Sequence, residues 1–172
     1  MIYTFRFISD EEDSFVIDVN INHNQTFEQL HKAIQDILKF DESQLASFYT
    51  SNDEWEKLDE IALLTMDEDS DVKIMQETYI DDIFTEKNQH ILYVFDYFNE
   101  RLFFGSITRT IDAKSPIELP SVSKMEGNIP AQFKEMEIEE SVDDDYDDFE
   151  DEGDFDFDDL PEDYGDFNPN DY

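Results

Sequence analysis

Three histidines are the side chains of this sequence best suited to acid–base chemistry or metal binding near neutral pH. They are His23, His31 and His90, and none stands three or four residues from another, so they form no helical metal-binding pair. His31 is the strongest candidate, because it follows a predicted helix start by about one and a half turns. Two interpretations of it are open. It is either a buried helix histidine bonded to a neighbouring strand, or an acid–base catalyst paired with Asp96.

Other catalytic arrangements find no support in the sequence. There is no cysteine, which excludes a thiolate nucleophile, a disulfide framework and Cys-ligated zinc. No Gly-x-Ser-x-Gly motif is present, and four glycines provide no phosphate-binding loop. The alternating Asp154, Asp156 and Asp158 resemble part of a calcium loop, but the sixth position is Asp159 and the twelfth is Gly165, which excludes an EF-hand. We therefore expect no catalytic residue, no metal and no cofactor.

Charge divides the chain into two parts. The 172 residues carry 47 acids and 11 bases, a formal net charge of −36. Residues 135–172, here called the acidic tail, contain 20 of those acids and no Lys or Arg. A chain this acidic repels phosphate backbones, so direct nucleic-acid binding is not expected. Packing about twenty carboxylates without a cation would cost more than burying four large aliphatics could return, so the tail is predicted to be disordered.

The acidic tail also carries aromatic side chains every few residues, which a purely solubilising tail would not need. Rings that fill pockets, combined with carboxylates that steer association, suit binding to a basic protein surface. A solubility tail remains the alternative interpretation. The candidate partner-binding residues are Tyr146, Phe149, Phe155, Phe157, Tyr164 and Phe167.

The elements that must position these residues begin with a hairpin and a helix. Apolar residues alternate with polar ones over 3–7 and 15–19, which predicts two strands joined by a short acidic loop. Thr26 and Gln29 have capping-box spacing, and apolar residues then recur every three or four positions. This pattern predicts a helix over about 26–39 that lies across the hairpin.

Further strands follow the helix. A third strand is predicted over 46–50, and residues 51–71 are expected to be mostly loop, in which Trp55, Leu58, Ile61, Leu63 and Leu64 pack locally. A short strand at 72–75, a helical turn at 79–84 and a hairpin of 90–98 with 102–109 come next. The predicted class is therefore α+β: an antiparallel sheet with one main helix packed on it, in the order hairpin, helix, strand, loop, hairpin. The predicted parts are a domain at 1–118, an extended linker at 119–134 and the disordered acidic tail at 135–172.

This order of elements resembles the plasmid pRiA4b Orf-three-like family, which includes passenger proteins of some insertion elements. Four segments over residues 1–132 carry the resemblance. Thr26-Phe27-Glu28-Gln29-Leu30-His31 stands in place of the family's Thr-Leu-x-x-Leu-His, and Gln44-Leu45-Ala46-Ser47-Phe48 is similar to its His-Leu-x-x-Phe. Tyr93-Val94-Phe95-Asp96-Tyr97-Phe98-Asn99 looks like a diverged Tyr-x-Tyr-Asp-Phe-Gly-Asp segment, and Glu126-Gly127-Asn128-Ile129-Pro130-Ala131-Gln132 like a remnant of a Gly-x-Gly-x-x-Pro-Pro-Glu-Asp loop.

The departures from the family pattern limit what the resemblance implies. Phe98 and Asn99 occupy the Gly-Asp positions, and most polar groups of the Gly-rich loop are missing. The resemblance implies an α+β fold, and the family offers no activity that could be carried over to this chain. We expect a cytoplasmic, non-enzymatic interaction module without a membrane span, because no apolar run approaches about 20 residues and the N-terminus lacks signal-peptide features. The alternatives are a nucleic-acid mimic that regulates a DNA- or RNA-binding protein, and an enzyme of unknown type.

Overall fold

The protein folds around a single sheet of eight strands with two helices, in a computed structural model that describes residues 1–65, 72–112 and 118–133. Within these ranges, no helix is long and apolar enough to cross a membrane. The elements in chain order are β1 Ile2–Ile8, β2 Val16–Asn22, α1 Phe27–Leu38, β3 Ser47–Ser51, β4 Lys57–Ala62, β5 Lys73–Ile74, α2 Ile80–Ile83, β6 His90–Asp96, β7 Arg101–Ile111 and β8 Ser121–Glu126.

The strands lie in the order β5-β4-β3-β6-β7-β1-β2-β8. All neighbouring strands are antiparallel except β4 and β5, which pair in parallel. The two predicted hairpins form β1–β2 and β6–β7, which pair with each other through β1 and β7 in the middle of the sheet. The α+β class predicted from the sequence is confirmed, as is the short strand at 72–75, which is β5. The sheet is larger than the two hairpins, third strand and short strand that the pattern indicated.

Helix α1 forms where the capping box predicted it. The Thr26 hydroxyl accepts from the backbone N–H of Gln29, and the Gln29 side chain accepts from the backbone N–H of Thr26. These two bonds satisfy backbone donors that the first turn of a helix leaves free. The apolar stripe of α1, which includes Phe27, Leu30 and Ile34, is buried. The helix therefore covers one face of the sheet, here called the helix-facing side.

Aromatic side chains fill the space between α1 and the sheet. Phe103 is fully buried and stacks on Phe15 and Phe95, with ring centroids 5.0 and 4.5 Å away. Gly105 makes room for this packing, because a Cβ at this position would lie 2.6 Å from both Ile91 and Phe7 side-chain atoms. Period-two alternation on the strands thus produces a core on the helix-facing side.

Two predictions about irregular segments were wrong. Residues 51–71, expected to be mostly loop, contain β4, which pairs with β3 from Ser47↔Ala62 to Ser51↔Lys57. The expected linker at 119–134 contains β8, which pairs with β2, so the sheet continues past residue 118. Leu58 and Leu64 were expected to pack locally, but their side chains are exposed. Both strands lie near sheet edges and carry mixed side chains, which is why the apolar alternation that marks a strand is weak in them.

Candidate functional site

His31, the strongest catalytic candidate of the sequence, lies inside the core. His31 is only 2% exposed, and its Nδ1 lies 2.8 Å from the hydroxyl of Tyr93 on β6. The side-chain amide of Gln35, one turn further along α1, donates to the same hydroxyl at 2.6 Å. The three side chains join α1 to the centre of the sheet through two hydrogen bonds. This arrangement matches the first of the two interpretations of His31, a buried helix histidine bonded to a neighbouring strand.

Burial sets the protonation of this cluster. Gln35 donates to the Tyr93 oxygen, and the Tyr93 hydroxyl shares a second hydrogen bond with His31 Nδ1 whose direction depends on the tautomer of the imidazole. Burial, with a smaller effect from the neighbouring Lys32, lowers the pKa of His31 to about 4. Burial likewise raises the pKa of Tyr93 above its ordinary value. His31 is therefore neutral at pH 7.

The structure does not join His31 to Asp96. The Asp96 carboxylate accepts from the backbone N–H groups of Phe98 and Asn99 and from the Asn99 side chain. Although burial opposes the change, these bonds and the charge of Arg101 lower the pKa of Asp96 below its usual range. Asp96 therefore caps the β6–β7 turn, and the acid–base pair considered from the sequence is not formed.

A second polar cluster lies on the face of the sheet away from α1. The Ser47 hydroxyl donates to the Glu60 carboxylate at 2.7 Å, and the Tyr97 hydroxyl bonds to both Ser47 and Glu60, the latter at 2.9 Å. Burial opposes the change, but hydrogen bonds from Ser47, Tyr49 and Tyr97 lower the pKa of Glu60. The carboxylate is therefore an acceptor that ties β3, β4 and the β6–β7 turn together. Nothing in the sequence predicted this cluster, because its residues are far apart in the chain.

The remaining histidines also have partners that explain them. His90 stacks on Trp55, with ring centroids 4.2 Å apart and planes at 15°, and Phe104 meets Trp55 edge-on. Trp55 is thus a loop anchor, as its position in a loop predicted. His23 Nδ1 is 2.8 Å from the Asp81 carboxylate on the surface. In the described ranges, no three His or acidic side chains are grouped closely enough to hold a metal ion.

Arg101, at the start of β7, gathers the most contacts of any polar side chain at one end of the sheet. It binds the Glu11 carboxylate through two bonds of 2.7 and 2.6 Å and donates to the carbonyl oxygens of Ala131 and Gln132. Its guanidinium also lies over the Phe95 ring, 5.0 Å from the centroid. The bond to Glu11 raises the pKa of Arg101, which is a permanent cation. Arg101 therefore fastens three segments of the chain to one another.

Gln132 completes this fastening. Its side chain accepts from the Asp41 backbone N–H and donates to the Asp41 carbonyl oxygen, so it pairs with the loop after α1. Gln132 is the last residue of the remnant of the family's Gly-rich loop. Gly127, in the same loop, has φ of +80°, and a Cβ there would lie 2.2 Å from the Ser14 carbonyl oxygen. In this chain the loop remnant has a structural role.

The loops around Arg101 form one end of the sheet, here called the sheet end. Six large apolar side chains in these loops are exposed to solvent, and the five most exposed are here called the sheet-end patch. Pairing explains their proximity: Ser47 lies opposite both Ala62 and Val94, and Asp96 lies opposite Arg101, so the residues just beyond these pairs share one end. The sheet-end patch consists of Leu45, Leu64, Tyr97, Phe98 and Phe133, which are 49%, 64%, 42%, 86% and 56% exposed.

The six tail residues predicted to bind a partner lie outside the described residues, as does the predicted disorder of the acidic tail. Among described residues, sequence reasoning missed Gln35, Arg101 and the sheet-end patch. One signal was available for Arg101: it is the only Lys or Arg in a long run, 88–108, that contains the turn of the second hairpin. The sheet-end patch carried no signal, since its members come from four separate loops. The tail residues named as candidates are Tyr146, Phe149, Phe155, Phe157, Tyr164 and Phe167.

The segments that carry the family resemblance meet in the core. His31 bonds to Tyr93, and the Phe48 ring lies 4.7 Å from the Tyr93 ring, so three of the four segments contact one another. The likeness to the family is therefore first a likeness of packing.

Comparisons with known proteins agree with this. No curated protein matches the chain. Among solved structures, the crystal structure of a protein of unknown function from Methanosarcina mazei Go1 is similar, with a TM-score of 0.58 at 22% identity; the match covers 72% of this chain and 68% of that one. At this identity the likeness concerns the fold alone. The sequence profile described as "Plasmid pRiA4b ORF-3-like protein" matches residues 8–171, and the chain therefore belongs to that family.

Proposed function

We propose that this protein is a non-enzymatic interaction module of the cytoplasm whose acidic tail engages a basic surface of a partner protein. The observation that carries the proposal is the separation of charge: residues 135–172 hold 20 acids, seven aromatic rings and no Lys or Arg. Carboxylates at this density attract a basic surface over about 8 Å at physiological salt, and the rings supply contacts that depend on shape. The lack of cysteine fits a reducing compartment.

The chemistry of the described residues supports a binding role over catalysis. His31 is neutral and buried against Tyr93, and Asp96 caps a turn. Glu60 accepts hydrogen bonds from Ser47 and Tyr97 in a cluster that joins strands. In these clusters the groups that could transfer protons are engaged with one another, which is the arrangement expected of side chains that hold a fold.

The proposal is tested by a change that keeps every charge. Replacing Phe149, Phe155, Phe157 and Phe167 with Ser removes rings from the tail and no carboxylate. In affinity capture with the full-length protein, a specific partner should be recovered by the parent and lost by this variant, while both should bind polylysine equally well. Equal recovery of the same partner by both chains would contradict the proposal, since charge alone would then be sufficient.

The same experiment separates the nucleic-acid mimic from other partners. If the captured protein binds DNA or RNA, an added polynucleotide should displace the full-length chain from it at a concentration close to its own dissociation constant. A partner that retains the chain in the presence of excess polynucleotide binds it elsewhere. That result would rule out mimicry and retain the basic-surface proposal.

A further inference from the structure

The fold gains little from the most exposed ring at the sheet end, that of Phe98. Phe98 is 86% exposed at the tip of the β6–β7 turn. The turn itself is held by Asp96, whose carboxylate accepts from the backbone N–H groups of Phe98 and Asn99, so a small polar residue would serve the backbone at position 98 equally well. An aromatic ring in such a place gains nothing for the fold, and contiguous exposed apolar side chains mark interaction sites.

The backbone beneath the sheet-end patch is fixed in place. Tyr97 is held by its hydroxyl to Glu60, and Phe133 follows Gln132, whose carbonyl accepts from Arg101 and whose side chain pairs with Asp41. Arg101 itself is bound by Glu11 from the β1–β2 loop. The patch is thus presented on an ordered frame, which lowers the entropy lost when a partner binds.

The charge around the patch identifies the chemistry of its partner. Across the described loops of the sheet end, at 9–15, 39–46, 63–65, 97–100 and 127–133, the sequence contains seven acids and one base, Lys39, which is the C-cap of α1. Arg101, beneath the patch, has a side chain only 5% exposed and is bound to Glu11. Exposed acids that flank the patch are Asp10, Asp13, Asp41, Glu42 and Glu100.

We propose that the sheet-end patch binds a cationic amphipathic segment of a partner protein, with apolar side chains on one face and Lys or Arg beside them. Apolar residues of the segment would cover Phe98 and its neighbours, and its cations would lie against the acidic rim. The rim repels the other classes of occupant: nucleic acid, anionic membrane and a second copy of this chain all carry negative charge. This surface is separate from the acidic tail and rests on different residues.

The test uses the full-length chain and a synthetic helical peptide of leucine and lysine with a fluorescent label. The measured chain carries the four Phe→Ser changes in its tail, so the phenylalanine rings of the tail do not contribute. Adding Phe98→Ser and Phe133→Ser should weaken peptide binding about tenfold or more, because a few central aromatics supply most of the energy of an interface. Leu58→Ser is the matched control: this leucine is 57% exposed on β4 at the opposite end of the sheet, and the change should leave affinity unaltered.

Three outcomes would overturn the proposal. The first is equal affinity of the Phe98/Phe133 variant and its parent, with unchanged thermal melts showing that both are folded. The second is binding of duplex DNA or anionic vesicles that the Phe98/Phe133 variant loses. The third is a dimer of the parent in sedimentation that disappears in the variant, which would make a second copy the occupant. If the four Phe→Ser changes in the tail were by themselves enough to abolish peptide binding, that result would support the tail proposal and contradict this one.

Discussion

The helix-facing side of the sheet and the sheet end use aromatic residues in opposite ways. On the helix-facing side, Phe103 and Tyr93 are fully buried among other rings, and the His31 ring and the Gln35 amide both bond to the Tyr93 hydroxyl. At the sheet end, Phe98 and Phe133 are more than half exposed, while Arg101 beneath them is buried. In the first region the rings are inside and hold the fold. At the sheet end, the charged side chain of Arg101 is buried, while the Phe98 and Phe133 rings are exposed.

This difference separates stability from binding. Burying a ring stabilises the fold by removing apolar area from water, so the helix-facing side should account for most of the free energy of unfolding. An exposed ring contributes little to that free energy and is available to a partner. We therefore expect substitutions on the helix-facing side to change stability and substitutions in the sheet-end patch to change binding alone. Arg101 lies at the sheet end, but its substitution should change stability.

The largest effect is expected from Phe103→Ala. The ring is fully buried and stacks on Phe15 and Phe95, so its removal should lower the free energy of unfolding by about 3–5 kcal/mol. Phe104→Ala is the matched control, because this neighbour lies on the other face of the same strand and is only half-buried. Urea unfolding should show a clearly smaller loss for Phe104→Ala. Equal losses would place as much packing energy on the other face as on the helix-facing side.

Arg101→Met should have the next largest effect. The change removes two bonds to Glu11 and the donors to the carbonyls of Ala131 and Gln132. Breaking a buried pair from one side costs about 3–5 kcal/mol, and the lower end is expected because the Glu11 side chain is 30% exposed and can be hydrated. Hydrogen exchange should report faster exchange at the amide of Asp41, which Gln132 holds. Protection of that amide equal to the parent's would show that Gln132 stays in place without Arg101.

The buried histidine gives a pH dependence with a definite sign. The pKa of His31 is about 4 in the folded protein against about 6.5 when unfolded, so the unfolded chain binds the proton first. The stability contributed by neutral His31 is complete above pH 6.5 and is lost as pH falls from 6.5 to 4, by up to about 3 kcal/mol. Comparing urea midpoints of the parent and His31→Gln at pH 7 and pH 4 isolates this term from the carboxylates that both chains share. Parallel pH profiles would mean that His31 titrates normally.

The smallest effect is expected from Phe98→Ser. The turn is capped by Asp96 and the ring is 86% exposed, so the free energy of unfolding should change by no more than about 0.5 kcal/mol. A thermal melt measures this directly. A loss above about 1 kcal/mol would show that the ring supports the fold, and the division between the two regions would fail.

The sequence predicted the elements whose apolar residues recur with a regular period. Alternating residues in 3–7 and 15–19 indicated β1 and β2, and the Thr26–Gln29 capping box with its apolar stripe located α1 to within a residue. Those signals are local, because strand and helix periods set which side chains share a face. The strands β4, next to the edge strand β5, and β8, at the other edge, were not predicted, since strands near the sheet edges with mixed residues lack a clear period.

The candidate site likewise has features that the sequence indicated and features that only the tertiary structure shows. Burial of His31 against a strand was one of two interpretations that the sequence left open, but its bond to Tyr93, 62 positions away, and the burial that lowers its pKa were decided by the tertiary structure. Likewise, composition alone determined that the chain is strongly acidic and that its bases lie before residue 135. Only the tertiary structure decided that Leu45, Leu64, Tyr97, Phe98 and Phe133 lie at the same end of the sheet, because pairing between strands that are distant in the sequence brings four loops to that end.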